Sequence, residues 1–280
     1  MRRTQPRCRR NAFTLAEALV VVGIIFVLVS FLYAGLSKVK DSSQRAACAN
    51  NLREIMSAIS VYASANDKRL PVLPDWAASQ HWLCDIGRDQ RDALLTAGLK
   101  RDSFYCPSGD LQNADDQWDY GSGRYGATAQ GPNYMVTGYY WMMYRVKKVF
   151  LDKKPPMWMR DDKTMTIQLP AVWLESLTQP VGKDSNGATA TIVPGSTVLV
   201  SDMTMSWNSS GKEIFTGISA GSSKDAPLAS RSNHLRSSDP TKALGGNVLF
   251  LDGHVEWRDA GEMHIVNHSS VPSPGHDEWF

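Results

Sequence analysis

The sequence predicts an α+β protein in which one long N-terminal helix packs on a head built around an antiparallel β-sheet. Two observations lead to this prediction. An apolar stretch followed by an amphipathic one covers residues 13–66, and beyond Pro71 the chain changes to short apolar runs broken by Gly, Pro, Asn and Ser. We therefore expect the head to cover residues 68–262.

Residues 1–12 form a basic leader, with five arginines and no acidic residue. Without them the chain carries 25 basic and 28 acidic residues, a net charge of −3. The body lacks the basic stripe interleaved with aromatic residues that nucleic-acid binding requires. Composition therefore predicts no nucleic acid as a partner.

The leader is followed by nineteen residues without a charge, 18–36. This length is close to the roughly 20 residues with which a helix crosses a bilayer. Basic residues before the stretch predict a cytoplasmic N-terminus and an exported head. We expect residues 13–40 to form a transmembrane helix. One alternative is an uncleaved single-pass anchor. Another is an ordinary secretory signal cleaved near Ala34-Gly35, but it leaves Glu17 unexplained, because a carboxylate near lipid is costly and usually has a partner.

Ala12, Phe13, Thr14, Leu15 and Glu17 follow the leader in the order of a prepilin signal. The stretch resembles the type IV prepilin, or class III, signal, with Ala12 where that family most often has Gly. The resemblance implies that a prepilin peptidase cuts between Ala12 and Phe13, that Phe13 is N-methylated, and that the apolar helix is retained. It also implies an assembly role for Glu17, whose carboxylate would meet the N-terminal ammonium of a neighbouring subunit.

The stretch 41–67 predicts an amphipathic continuation of this helix. Its apolar positions recur at spacings of three and four residues, as expected for one buried helical face; they are Cys48, Leu52, Ile55, Ile59 and Tyr62. Asn66-Asp67 and Pro71 predict its end.

Three later runs, 137–146, 196–202 and 247–257, have the composition of strands. Within the last run, Asp252-Gly253 predicts a two-residue type I′ hairpin turn. Residues 263–280 predict a loose C-terminal tail.

The whole chain resembles a pseudopilin-like family of type II secretion, which combines a prepilin signal with a C-terminal His…Asp-Gly motif. The stretches "CANNLREI" and "FYCPSGD" add to the resemblance, and the motif residues are His234, Gly245, Gly246, Asn247, Asp252, Gly253 and His254. Seventeen residues separate His234 from Asp252, where the family has nine. Either the loop carries an insertion or His234 is not the matching histidine.

This resemblance implies a pilin-like fold and a structural subunit of a type II secretion or type IV pilus-like assembly. The implied partners are the prepilin peptidase, like or related pseudopilin subunits, and the secretion or pilus platform. The implied location is the bacterial inner membrane, crossed once, with a periplasmic head.

Three cysteines remain after loss of the leader, so one disulfide and one further thiol are expected in an oxidising compartment. Cys48 with Cys106 is the first choice, Cys84 with Cys106 the second, and three reduced thiols the third. No CxxC motif or helix-spaced histidine pair accompanies them, which argues against a metal site at the cysteines.

An acidic loop offers oxygen ligands of the kind that calcium takes, without the EF-hand spacing; these are Asp110, Asp115, Asp116 and Asp119. A plain solvated loop is the alternative, and no other cofactor is expected. His234, Asp252 and His254 also suggest a metal site, but a hairpin turn explains Asp252 more simply.

Residues 217–221 match G-x-S-x-G, and Asp252 and His254 follow in hydrolase order. The polar, Pro-containing stretch that follows the match does not predict the helix that a nucleophile elbow requires. A serine hydrolase is therefore the least favoured function, and we expect no enzyme and no catalytic residue. A membrane-anchored binding module is the other alternative, with aromatic residues for a polymer at Trp76, Trp82, Trp118 and Tyr120.

Overall fold

The computed structural model describes a helix, several short helices and a set of antiparallel strands. The described residues are 14–71, 84–109, 113–119, 134–142, 181–183, 189–191, 193–209, 212–215, 232–237, 239–263, 265–268 and 276–279. The chain divides into two compact units, Met1–Lys40 and Asp41–Phe280. The division falls where the sequence placed the end of the membrane segment.

Helix α1 covers Leu15–Ala65. Its end is a left-handed turn in which Asp67 and Lys68 have φ of 53° and 65°. The backbone N–H of Lys68 donates to the carbonyl oxygen of Ala63 at 2.8 Å, which satisfies a carbonyl of the last turn in the manner of a Schellman motif. The predicted stop at Asn66-Asp67 is therefore confirmed.

In the first unit, the large apolar side chains between Leu15 and Val29 are exposed. Within the part of the chain that the structure describes, no helix is both long enough and apolar enough to traverse a lipid bilayer. The side chains of residues 31–37 lie outside that part.

In the second unit, the face of α1 that the periodicity predicted is buried. Cys48, Leu52, Ile55 and Ile59 are fully inaccessible to solvent, whereas Tyr62, the last residue of the predicted face, is half-buried. They belong to one core with strand residues such as Leu249. Local spacing alone thus identified the side of the helix that packs on the head.

The strands and the remaining helices of the second unit are short. In chain order they are β1 (Asp85–Gly87), α2 (Arg88–Thr96), a 3₁₀ turn (Arg101–Phe104), α3 (Asp115–Trp118), β2 (Tyr134–Val136), β3 (Tyr139–Trp141), β4 (Val181–Lys183), β5 (Thr189–Thr191), a 3₁₀ turn (Pro194–Ser196), β6 (Val198–Asp202), β7 (Thr204–Ser209), β8 (Lys212–Ile214), β9 (Leu235–Arg236), β10 (Asp239–Ala243), β11 (Gly245–Phe250), β12 (Val255–Asp259), β13 (Ile265–His268) and β14 (His276–Trp279).

Two four-stranded sheets dominate the head, with strand orders β12-β11-β6-β3 and β13-β14-β7-β8. Every strand pair within the described residues is antiparallel. A single residue, Met203, separates β6 from β7, so Asp202 lies where the chain passes from one sheet to the other. The α+β prediction is confirmed at this level.

The prediction of a loose tail over 263–280 is wrong for the residues described. Ile265–His268 and His276–Trp279 are strands, and β14 pairs with β13 on one side and β7 on the other. Backbone pairing to β7 orders a segment whose polar, Pro-containing composition does not predict a strand.

The prediction of a two-residue type I′ turn is also wrong. The N–H of Gly253 donates to the carbonyl oxygen of Phe250, and the N–H of Phe250 donates to that of His254, which makes a three-residue loop. Only Gly253 in this loop is left-handed, with φ of 92°. The additional residue allows Leu251 to be buried, with its N–H bonded to the carbonyl oxygen of Thr197.

Candidate functional site

Four side chains with metal-binding or redox chemistry meet beneath the second half of α1. They are Cys48 from α1, Cys106 from the loop after the first 3₁₀ turn, Asp202 from the end of β6 and His234 from the segment before β9. One ligand atom from each lies within 4.8 Å of all the others. All four residues are at most 3% exposed, so the cluster is shielded from water. We call these four residues the Asp202 cluster.

A disulfide joins Cys48 to Cys106, with an S–S distance of 2.05 Å and Cα atoms 5.1 Å apart. It is the pairing that the sequence favoured first among those left open. Cys84 is buried and lies outside the disulfide. The bond fixes α1 to the loop 105–109, which carries Ser108 toward the same cluster.

The carboxylate of Asp202 is the centre of the polar contacts. Its Oδ2 accepts from the backbone N–H of Asn247 at 2.7 Å, from the Asn247 side-chain amide at 2.9 Å, and lies 3.0 Å from Nε2 of His234. Its Oδ1 accepts from Nδ2 of Asn233 at 3.2 Å and lies 2.9 Å from Sγ of Cys48. A fully buried carboxylate is stable only when it is paired and hydrogen-bonded, and these contacts meet that requirement.

His234 has a left-handed backbone with φ of 50°, an uncommon conformation for this residue type. Its N–H donates to Oγ of Ser108 at 2.9 Å, and its carbonyl oxygen accepts from the N–H of Leu244 at 2.8 Å. The ring contacts the edge of Trp257, with centroids 5.2 Å apart. These contacts direct Nε2 into the cluster.

The same nitrogen of His234 faces both a sulfur and a carboxylate. Nε2 lies 3.3 Å from Sγ of Cys106 and 3.0 Å from Oδ2 of Asp202. A catalytic Cys-His-Asp relay uses the two ring nitrogens for different partners. The arrangement is therefore that of atoms converging on one point rather than of a proton relay.

Tyr139 closes the cluster on the side of β3. Its hydroxyl lies 3.4 Å from Sγ of Cys48. Burial raises the pKa of Tyr139 well above its usual value, and the negative charge of Asp202 raises it further. The hydroxyl of Tyr139 therefore remains protonated and neutral at physiological pH.

The Gly-Gly-Asn run of β11 has a specific role at this site. A Cβ atom on Gly246 would lie 3.2 Å from Cβ of Asp202 and 3.4 Å from Oγ1 of Thr204. The absence of a side chain allows β11 to lie close to Asp202, so that the next residue, Asn247, reaches the carboxylate with both its backbone and side-chain nitrogens.

Asp252 and His254 lie at the β11–β12 turn and contact each other. Nδ1 of His254 is 2.5 Å from Oδ1 of Asp252, and the His254 N–H donates to the same oxygen at 3.1 Å. The backbone N–H of His254, and then its ring, hold the pKa of Asp252 below its usual value. His234 pairs with Asp202 instead, so the structure does not bring the three residues of the suggested His234–Asp252–His254 site into one cluster.

In the acidic loop, arginines already pair with the described carboxylates. Oδ1 of Asp115 lies 2.7 Å from Nη1 of Arg101, and Oδ1 of Asp119 lies 3.6 Å from Nη1 of Arg91. Asp110 and the side chain of Asp116 lie outside the described residues. The calcium hypothesis thus remains a prediction, with two of its oxygen donors engaged by cations.

Arg91 and Arg101 also contact the ring of Trp118, with guanidinium carbons 4.9 Å and 5.0 Å from the ring centroid, respectively. Its ring also contacts Phe104 edge-on, with centroids 5.6 Å apart. Trp76, Trp82, Tyr120 and the G-x-S-x-G stretch 217–221 lie outside the described residues. Trp118 is thus engaged with the protein rather than presented to a polymer.

At the N-terminus, Thr14 and Glu17 form a capping box. Oε2 of Glu17 accepts from the N–H of Thr14 at 2.9 Å and from its hydroxyl at 2.8 Å, and the Glu17 N–H donates to Oγ1 of Thr14 at 3.3 Å. The T-x-x-E spacing from Thr14 to Glu17 is the sequence signal for this cap. Ala12 and Phe13 lie outside the described residues, and Leu15 is the first residue of α1.

Sequence reasoning also missed Asp202. The available signal was the carboxylate at the end of the mostly apolar run "VLVSD" of β6. A charged residue in a buried strand is rare unless it is paired, so its presence indicates a partner. Of the other residues around Asp202, the sequence indicates Cys48 and Cys106 as disulfide partners and Asn247 as a motif residue, and it leaves open whether His234 belongs to that motif.

Comparison of the chain with models of protein families, with curated proteins and with solved structures finds no match.

Proposed function

We propose that this chain is a pseudopilin-like structural subunit that polymerises through α1 in a type II secretion or type IV pilus-like assembly. The observation that supports it most is the exposed apolar surface of the first unit. Leu15 is 81% exposed and Phe26 is 69% exposed, and the other large apolar side chains up to Val29 are exposed as well. Such a surface requires a cover that this chain does not supply from its described residues.

Both a lipid bilayer and the helices of neighbouring subunits bury the apolar side chains of such a helix, and the proposal places the helix in each of them in turn. Before assembly, residues 13–40 lie in the bacterial inner membrane, with the N-terminus in the cytoplasm and the head in the periplasm. During assembly, the same residues pack against the helices of like or related subunits. Each apolar side chain transferred from water to either environment contributes roughly 1.5 to 3 kcal/mol.

The partners follow from this cycle. A prepilin peptidase removes residues 1–12, and a secretion or pilus platform receives the subunit. The head makes contacts with neighbouring heads in a pilin-like arrangement, and no nucleic acid takes part. The proposal assigns no catalytic residue, and the Asp202 cluster serves to attach the second half of α1 to the head.

Glu17 has two roles in this proposal. Its carboxylate caps α1 by accepting from Thr14, and in the assembled filament it also meets the Phe13 ammonium of an adjacent subunit. The two roles can be separated because Gln retains the cap in a capping box while it removes the charge.

The test is crosslinking between neighbouring helices. Cysteines replace Leu19 and Phe26 in a chain that carries Cys84→Ala, and crosslinking is compared with and without Glu17→Gln at matched expression. We expect several-fold less crosslinking with Glu17→Gln, because the cap remains but the charge that pairs with the neighbour is lost.

Thr14→Ala is the matched control, since it removes the capping hydroxyl and keeps the carboxylate. It should retain most of the crosslinking. The mass of the mature N-terminus is measured for every variant, and a start at Phe13 shows that processing is intact. Equal crosslinking with and without Glu17→Gln, or loss only with Thr14→Ala, would reject the assembly role.

A further inference from the structure

We propose that the Asp202 cluster is a zinc site when its two cysteines are reduced, so that the same four side chains hold either a disulfide or a metal ion. Cys48, Cys106, Asp202 and His234 supply two sulfurs, one carboxylate oxygen and one imidazole nitrogen. Zinc takes these ligand types and is bound by four of them in structural sites. The inference concerns the head and does not depend on filament formation.

The ligand atoms lie close to one another, at separations somewhat shorter than this coordination requires. With bonds of about 2.0 Å to nitrogen or oxygen and about 2.3 Å to sulfur, neighbouring ligands of a tetrahedral zinc ion are roughly 3.3 to 3.8 Å apart. His234 Nε2 to Asp202 Oδ2 is 3.0 Å, Cys106 Sγ to His234 Nε2 is 3.3 Å, and Cys48 Sγ to Asp202 Oδ1 is 2.9 Å. The two sulfurs, now bonded to each other, must separate to admit the ion, and the carboxylate of Asp202 must move slightly away from His234 and Cys48.

The contact between Cys48 and Asp202 also favours a second state. A thiol at this distance donates a proton to the carboxylate oxygen, and a thiolate and a carboxylate share a cation. A disulfide sulfur has no proton to donate. The 2.9 Å separation of Sγ and Oδ1 therefore suits a Cys48 thiol that donates to the Asp202 carboxylate in the reduced state.

Supporting contacts hold the ligands in place, as metal sites require. Asn247 and Asn233 donate to the Asp202 carboxylate, and Ser108 fixes the backbone of His234. Such second contacts orient the ligands, and their loss commonly weakens metal binding by about 10 to 100-fold.

Charge supports the same assignment. Two thiolates and a carboxylate in a dry site carry three negative charges, which a divalent cation reduces to one. Since the cluster is buried, the ion would be acquired as the head folds, and its binding free energy would stabilise the folded head.

Exchange between the disulfide-bonded state and the zinc-bound state requires a reductant in one direction and an oxidant in the other. A dithiol reductant gives two electrons and two protons to the Cys48–Cys106 bond, which becomes two thiols while the reductant becomes a disulfide. Zinc then binds both sulfurs as thiolates, and the two thiol protons pass to solvent. In the reverse direction a disulfide oxidant accepts two electrons from the two thiolates and two protons from solvent and becomes a dithiol, while the Cys48–Cys106 bond reforms and the ion is released.

The experiment measures zinc in the full-length chain in detergent. The chain is unfolded with a phosphine reductant and a chelator, refolded with zinc, and passed over a sizing column before zinc is counted by mass spectrometry. The reduced chain should retain a single zinc ion, and the disulfide-bonded chain should retain almost none. With cobalt in place of zinc, the reduced chain should show a thiolate charge-transfer band.

Variants define the ligands. Cys48→Ser and His234→Ala should weaken zinc binding about 100-fold or more, and Asn247→Ala about 10-fold. Cys84→Ala and His254→Ala are the matched controls, because one removes a buried cysteine outside the cluster and the other an exposed histidine. Both controls should retain the ion.

Three results would overturn the proposal. The first is a reduced chain that folds in the presence of zinc but retains none of it, and the second is equal zinc in wild type and Cys48→Ser. The third is a reduced chain that fails to fold both with and without zinc. If the reduced chain folds only when zinc is present, the proposal is supported, because folding then depends on the ion. Circular dichroism shows whether the reduced chain has folded with zinc and without it.

Discussion

Gly245 is the first residue of β11 and lies directly against the backbone of β12. Its φ is 150°, and a Cβ atom there would lie 2.1 Å from the carbonyl oxygen of Arg258 and 2.8 Å from the Trp257 ring. No side chain fits this space. Because Gly246 and Asn247 follow directly, the position of Gly245 also determines how the strand reaches Asp202.

We predict that Gly245→Ala lowers the free energy of unfolding by roughly 3 kcal/mol, because the added methyl group causes both backbone strain and overpacking. Urea denaturation of the full chain in detergent measures it. Gly261→Ala is the control, since a Cβ there meets no atom within 4 Å; it should change stability by no more than about 0.5 kcal/mol. Equal effects of the two variants would show that the close approach is not a constraint.

At the scale of elements, β14 completes the second sheet. Its residues pair with β7 from Thr204 to Trp207, on the side of β7 opposite to β8. The N-terminal half of β7 therefore depends on a strand that the chain supplies from its last residues. An unpaired strand edge exposes backbone groups that promote association with other chains.

We predict that truncation of residues 264–280 deprotects the backbone amides of Thr204 and Ser206 by at least about tenfold in hydrogen exchange, because their pairing strand is lost. The N–H of Met205 donates to Oγ of Ser232 and should keep more of its protection. The amides of β6 are the internal control, because β11 and β3 flank that strand on both sides. The truncated chain should also form soluble oligomers through the open edge. Unchanged protection at Thr204 and Ser206 would contradict the pairing of β14 with β7.

At the scale of the whole molecule, the Cys48–Cys106 bond joins residues 58 positions apart and ties the second half of α1 to the head. Around this bond, α1 and the sheet β12-β11-β6-β3 share one core. A covalent link across a segment of this length chiefly restricts the unfolded chain.

Reduction without zinc should therefore lower the free energy of unfolding by about 4 kcal/mol, as expected from the length of the closed loop. The measurement is denaturation of the oxidised and reduced chain with a chelator present. Cys84→Ala should retain this difference, whereas the double variant Cys48→Ala with Cys106→Ala should abolish it. A reduced chain as stable as the oxidised one would show that the link is not a major source of stability.

The sequence by itself determined the features that depend on local pattern. The spacing of Cys48, Leu52, Ile55 and Ile59 identified the buried face of α1, and the Asn66-Asp67 stop placed its end. The β-forming runs located β6, β11 and β12. These features follow from the helical and strand periods, which neighbouring residues are sufficient to reveal.

Only the tertiary structure decided the features that depend on distant residues. Cys48 and Asp202 are 154 positions apart, and Cys106 and His234 are 128 apart, yet both pairs meet in one cluster. Their meeting depends on the order of the strands and on where the chain passes from β6 to β7, and no local period specifies either. The pairing of the C-terminal strands and the three-residue hairpin loop were settled in the same way, because burial of Leu251 and hydrogen bonds to β7 outweighed the local turn and tail signals.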